Sequence, residues 1–117
     1  PFKAISLTSD TSVLTCISND FNYENVFSRQ IEALGEKNDT LIALSTSGKS
    51  KNIEKVLKQA KANQLKTIAF LGKNGGIAKE IADYSLIIPS SSTARIQEMH
   101  ILIGHILCDL VEKELGF

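Results

Sequence analysis

The sequence lacks tryptophan altogether, holds two cysteines and two prolines in 117 residues, and has no excess of either charge. Cys16 and Cys108 stand far apart, with no CxxC and no histidine spaced for a metal knuckle. Nothing beside either suggests a base that would lower a thiol pKa, so both are expected as small core residues. Lys+Arg and Asp+Glu number 13 each. A chain of zero formal charge has no basic surplus with which to neutralise a nucleic-acid backbone, so nucleic acid is not an expected partner. No apolar run approaches the roughly 20 residues that cross a bilayer, and Pro1-Phe2-Lys3 has neither the apolar stretch nor the cleavage pattern of a signal peptide. The expectation is a cytoplasmic protein without membrane contact. Linker composition, short-period repeats and low-complexity tracts are also missing, which leaves no domain boundary inside residues 1–117.

With 43% hydrophobic residues, the chain can bury one core. Ala4-Ile5-Ser6-Leu7 reads as a strand, and Thr8 to Ser12 as a loop of short polar residues. Val13 to Ile17 is an apolar, β-branched-rich run that Ser18-Asn19-Asp20 interrupts. Apolar positions then recur at three and four from Tyr23 to Leu34, predicting a helix that ends at Gly35. Thr40–Leu44 is too short for a helix and reads as a strand. It leads through Ser45-Thr46-Ser47-Gly48-Lys49-Ser50 into an amphipathic helix over Asn52–Ala60. The pattern repeats with Lys66–Leu71, the turn Gly72-Lys73-Asn74-Gly75-Gly76, a short helix at Ile77–Ile81 and a strand at Ser85–Ile88. A long helix follows, from about Ala94 to Glu114. Apolar strands alternating with helices predict an α/β fold: a doubly wound parallel sheet covered on both faces. A start directly in a strand, with no helix before it, suggests an incomplete domain.

Ligands of open parallel sheets bind beyond the carboxyl ends of the strands. Residues 45–50 occupy such a position. Ser45, Thr46, Ser47 and Ser50 surround a glycine that lets backbone N–H groups approach an oxyanion, and the next helix offers free amides. Gly48-Lys49-Ser50 matches the end of a nucleotide P-loop, but that pattern needs glycine where Ala43 stands, so no nucleotide cofactor is expected. The plainer alternative is that these serines cap the helix. Capping is also the reading for Ser90-Ser91-Ser92-Thr93, and an Asx turn or N-cap for Asn19-Asp20, with a substrate-hydroxyl contact as the other role open to that pair. His100 and His105 lie about 140° apart on the last helix and cannot both face one site. His100 falls near the apolar stripe of Ile96, Met99, Ile103, Ile106, Leu107 and Leu110, as a core histidine would. His105, flanked by Glu98, Ile101, Cys108 and Glu112, is left open to proton transfer or metal ligation.

Leu44-Ser45-Thr46-Ser47-Gly48-Lys49-Ser50 and Ala94-Arg95-Ile96-Gln97-Glu98-Met99-His100-Ile101-Leu102, with His105, resemble the sugar isomerase (SIS) domain of bacterial phosphoheptose isomerases. Ser18-Asn19-Asp20-Phe21, Val26-Phe27-Ser28-Arg29-Gln30, Gly72-Lys73-Asn74-Gly75-Gly76 and Glu112-Lys113-Glu114 extend the likeness over essentially the whole chain. The serine loop is shared by all SIS proteins; the Arg95–His100 run narrows the group. The resemblance implies a flavodoxin-like three-layer sandwich and isomerisation of sedoheptulose 7-phosphate to D-glycero-D-manno-heptose 7-phosphate through an enediol, on the way to surface-polysaccharide heptose. It implies Ser45, Thr46, Ser47 and Ser50 as the phosphate site, Asn19, Asp20 and Gln97 as sugar contacts, and His105 as the acid/base. In zinc-binding members, the matches of Gln97 and His105 are metal ligands. A homotetramer with sites at subunit interfaces is also implied. A related branch is non-catalytic and binds a replication-initiation protein; its asparagine at the match of His105, and its departure from Ser-Thr-Ser-Gly, set it apart.

The family's N-terminal helices, its asparagine-glycine-glycine-serine loop and the helix with its catalytic glutamate have no counterpart in these residues. The chain is therefore expected to be the C-terminal part of a longer protein. The 117-residue chain alone is expected to show little or no isomerase activity. Turnover near that of a full-length isomerase, in an assay of ketose-to-aldose conversion, would overturn this and make Asp20 the first suspect as base.

Overall fold

Asp10 starts the first helix. In the computed structural model, which describes residues 3–116, its Oδ1 accepts the Val13 backbone N–H at 3.1 Å. That bond caps α1 (Thr11–Phe21). Pro1, Phe2 and Phe117, the first two read for a signal peptide, lie outside the described residues. The apolar run Val13–Ile17 continues as helix through the break expected at Ser18-Asn19-Asp20, which instead forms the last turns of α1. The Asx cap is Asn22. Its φ of 67° ends α1, and its Oδ1 accepts the Glu24 N–H at 3.1 Å. This splits the helix expected over Tyr23–Leu34 into a 3-10 turn (Tyr23–Asn25) and α2 (Ser28–Leu34), which stops at Gly35 as expected.

No strand forms at Ala4–Leu7. Ser6 O accepts from the Ser9 N–H and hydroxyl, and Leu7 O accepts from Gln30 Nε2 at 3.0 Å, so local and side-chain donors take the carbonyls a sheet neighbour would have used. The sheet consists of β1 (Thr40–Ser45), β2 (Lys66–Gly72) and β3 (Tyr84–Ile88), parallel and in sequence order. Its register aligns Ser45 with Leu71 and Leu71 with Ile87 at the carboxyl ends. Adjacent parallel strands joined by right-handed crossovers put both connecting helices on one face. These are α3 (Lys51–Ala62) and α4 (Ala78–Ile81), with α2 packed on α3. The helix α3 buries Ile53, Val56, Leu57 and Ala60 against Leu41, Ala43, Ala69 and Leu71. On the opposite face α5 (Thr93–Glu114) packs on β2 through Ile96 and His100. This is the expected doubly wound α/β layering.

Coverage is uneven. Only β2 is shielded on both faces; Ile42 and Leu44 of β1 are each 50% exposed on the α5 side. Of the stripe expected on α5, Ile96 alone is buried beside His100, while Met99, Ile106 and Leu110 are exposed. Cys16 and Cys108 are exposed rather than core residues, because the helix faces that carry them meet no other element among the described residues. No helix there is long and apolar enough to cross a membrane.

A polar clamp closes the edge of β2. Asp83 Oδ2 accepts the Thr67 N–H at 2.9 Å and the Thr67 hydroxyl at 2.8 Å, while the Asp83 N–H donates to Thr67 Oγ1 at 2.8 Å. Lys61 Nζ lies 2.9 Å from Asp83 Oδ1. The Lys61 contact, then the two Thr67 donors, lower the Asp83 pKa from 3.8 to about 2. A carboxylate with a depressed folded-state pKa stabilises the fold above its unfolded pKa, and that contribution fades as pH falls from 3.8 toward about 2. Asp83→Asn is expected to lower the thermal midpoint by a few degrees at pH 7, and the difference from wild type should vanish as pH approaches 2. Thermal melts across that range check it; a constant difference would place the effect elsewhere.

Candidate functional site

The carboxyl end of β1 turns directly into the serine loop. Ser45, 7% exposed, keeps its hydroxyl inside the loop, where Oγ accepts the Gly48 N–H at 3.0 Å and lies 3.3 Å from Ser50 Oγ. Ser47 Oγ accepts the Lys49 N–H at 3.2 Å, fixing the far side of the turn. Ser50 occupies the N-cap position of α3, yet its side chain makes no capping bond. Its hydroxyl faces Ser45 and lines a cleft of about 480 Å³ together with Leu44, Thr46, Gln97, His100 and Ile101. The capping alternative for Ser50 is thus not the geometry adopted. Side-chain capping is also absent at Ser92, the N-cap of α5, while Ser90 Oγ accepts the Ser92 N–H at 3.1 Å.

No lining residue carries a fixed charge. The pull on an anion comes from the hydroxyls and from the free first-turn amides of α3, whose partial positive charge favours an oxyanion. Glu54, in the same first turn, would oppose one. Lys58 and Lys51 contact its carboxylate at 2.7 and 3.0 Å, lower its pKa and neutralise its charge locally.

From α5, Gln97, His100 and Ile101 reach the same cleft, a spacing of three and four that places them on one helical face. For His100 the sequence pattern points only to a core position. It is buried, as expected, and also lines the site, which its separation of three from Gln97 could have signalled. Ser45, Thr46, Ser50 and Gln97 therefore meet in one cleft, with Ser47 shaping the loop. Asn19, Asp20 and His105 do not join them. Asn19 Nδ2 donates to Asp20 Oδ1 at 2.7 Å on exposed α1, and His105 is exposed two turns beyond Gln97.

The helix α5 is continuous through Gln97 and His105, so eight residues of rise hold them about 12 Å apart along its axis. Zinc takes three or four protein donors, and among the described residues no group of three His, Cys, Asp or Glu could hold a metal ion. Gln97 and His105 would supply at most two donors, so zinc held by them would need further donors from outside the described residues.

A parallel α/β layer with a serine-lined loop and a cleft at the carboxyl edge of the sheet defines a ligand-binding α/β domain as the class to which this chain belongs. The SIS domain model matches residues 2–72. The phosphoheptose isomerase of Clostridium acetobutylicum is 57% identical over 96% of this chain, and that of Helicobacter pylori strain HPAG1 57% identical over 97%. The solved phosphoheptose isomerase of Francisella tularensis superposes with a TM-score of 0.94 at 37% identity, covering 97% of this chain and 61% of its own. That of Neisseria gonorrhoeae gives 0.92 at 42% identity, covering 94% and 61%. The chain belongs to the SIS-domain family, and its relatives there are phosphoheptose isomerases. It spans 57% and 59% of the lengths of the two curated relatives.

Because the Ser50 hydroxyl caps nothing, Ser50→Ala is expected to leave the thermal midpoint nearly unchanged. It should weaken binding of a sugar phosphate about tenfold or more, the effect of losing a hydrogen bond to a charged group. Calorimetric titration measures this, and unchanged affinity would remove Ser50 from the anion site.

Proposed function

We propose that the chain is the phosphosugar-binding part of a cytoplasmic isomerase that converts sedoheptulose 7-phosphate to D-glycero-D-manno-heptose 7-phosphate. The observation that carries this reading is the Ser50 hydroxyl, turned from its capping position into the cleft shared with Ser45, Thr46 and Gln97. The names of the relatives support the substrate class. The phosphate docks at the 45–50 loop and the α3 amides, and its binding energy orients the sugar carbons. Gln97 contacts sugar oxygens across the cleft, and Asn19 and Asp20 act as further sugar contacts from a neighbouring part of the assembly.

Isomerisation moves one proton between adjacent carbons and another between their oxygens, through an enediol, with no net oxidation. A carboxylate base from outside these 117 residues takes the carbon-bound proton. His105 serves the oxygens as acid and base. Its exposed place on α5, away from the cleft of its own chain, fits a site completed by another subunit of a homotetramer. Exposed Ile101, Leu102, Ile106, Leu110 and Val111 on the same helix support burial of α5 in such an assembly.

In the intact protein, His105→Asn should lower kcat for sedoheptulose 7-phosphate by about 10² to 10⁴ with the thermal midpoint preserved. A stable, fully active His105→Asn enzyme would refute the role, and an intact wild-type protein inert toward this substrate would refute the function.

A further inference from the structure

His100 holds more than a packing position. It is 4% exposed, its ring lies 5.9 Å from the Phe70 ring at a 55° tilt, and its Nε2 stands 3.0 Å from the backbone oxygen of Leu71. A carbonyl oxygen only accepts, so Nε2 carries the proton, and in the neutral ring Nδ1 is left as a bare acceptor. Nδ1 has no hydrogen-bond partner among the described residues. Nor is it sealed in the core, since the one buried side-chain nitrogen or oxygen there without a partner is Ser85 Oγ. His100 lines the cleft with Ser45, Thr46, Ser50 and Gln97, which brings its ring within reach of a ligand held there.

We propose that Nδ1 of His100 is a specificity contact that accepts a hydrogen bond from a hydroxyl of the bound sugar phosphate, placing the polyol end against α5 and the phosphate against the 45–50 loop. The inference rests on the phosphosugar reading of the cleft. The chemistry sorts the two ends. A phosphate monoester dianion offers only acceptors, so it meets the hydroxyl and amide donors at the start of α3 and gains nothing from a ring lone pair. A sugar hydroxyl can donate to that lone pair. The Leu71 bond locks the tautomer, because turning Nδ1 into a donor in the neutral ring would cost the bond at Nε2. A site that accepts from a substrate hydroxyl discriminates strongly against ligands lacking it, since its own polar group is then left unpaired.

Two measurements on the intact protein test this. The variant His100→Gln keeps an amide N–H for the Leu71 oxygen and replaces the ring lone pair with an amide oxygen displaced from the Nδ1 position. Its Kd for sedoheptulose 7-phosphate should rise about tenfold, while that for inorganic phosphate stays unchanged. In the wild-type protein with ¹⁵N-labelled histidine, the Nδ1 resonance of His100 should move on addition of the sugar phosphate and stay in place with inorganic phosphate. This second measurement decides the matter if the variant does not fold. Equal weakening for both ligands, or an Nδ1 resonance that ignores the sugar phosphate, overturns the contact while leaving the phosphate cradle standing. Wild-type protein that binds neither ligand overturns the cradle and the contact together.

Discussion

Three stretches of backbone meet at the carboxyl edge of the sheet more closely than side chains permit. A Cβ on Gly48, which sits at a φ of 63°, would come within 1.9 Å of the Gly75 backbone oxygen. One on Gly72 would lie 2.4 Å from Thr46 O and 2.5 Å from Ile96 Cδ1. The serine loop therefore rests on the β2–α4 turn at Gly48, while Gly72 at the end of β2 is held between Thr46 of that loop and Ile96 in the first turns of α5. The Ala78 N–H donates to Gly48 O at 3.0 Å and adds a hydrogen bond to the same junction. This contact sets how far the α3 amides stand from Gln97 and His100, and so fixes the width of the cleft. The glycines are where the fold and the site become one constraint.

The serine hydroxyls show what this arrangement gives up. A side-chain N-cap contributes about 1 kcal/mol to a helix, and neither Ser50 nor Ser92 makes one. Elsewhere caps are used normally, at Asp10 and Asn22. At α3 the missing cap is offset by four buried apolar residues against the sheet, each large aliphatic one contributing roughly 1.5–3 kcal/mol by burial. Apolar packing thus holds the helix in place and leaves its amino end free to receive an anion. His100 follows the same division, since it lines the cleft while Nε2 is tied to β2 and Nδ1 has no partner among the described residues.

Coverage of the sheet bears on why the candidate residues do not all converge. The α2–α3–α4 face is closed, whereas Ile42, Leu44 and Leu86 stay open beside α5, whose own apolar side chains are largely exposed. Those surfaces carry a hydrophobic driving force that the contacts within the chain do not use. Asn19, Asp20 and His105 lie on helices at the periphery, α1 and α5, and the described residues bring none of them to the cleft.

Period and punctuation in the sequence were enough for β1, α3, β2, α4, β3 and α5, because each is a short apolar run or a 3.6-residue pattern bounded by Gly, Pro or Ser. The same logic placed Ser45, Thr46 and Ser50 at the carboxyl edge, since a parallel strand running into a helix leaves its loop only one place to go. It failed at Ala4–Leu7 and at Val13–Asp20, where local composition favoured a strand and a break. A carbonyl claimed by Gln30, 23 residues away, and a cap at Asp10 decided otherwise. Which way Ser50 turns its hydroxyl, and which nitrogen of His100 is tied to the sheet, were likewise matters of tertiary structure alone. Both depend on partners brought close only by folding, Ser45 across the loop and the Leu71 oxygen 29 residues away, and a linear pattern carries no distance between such groups.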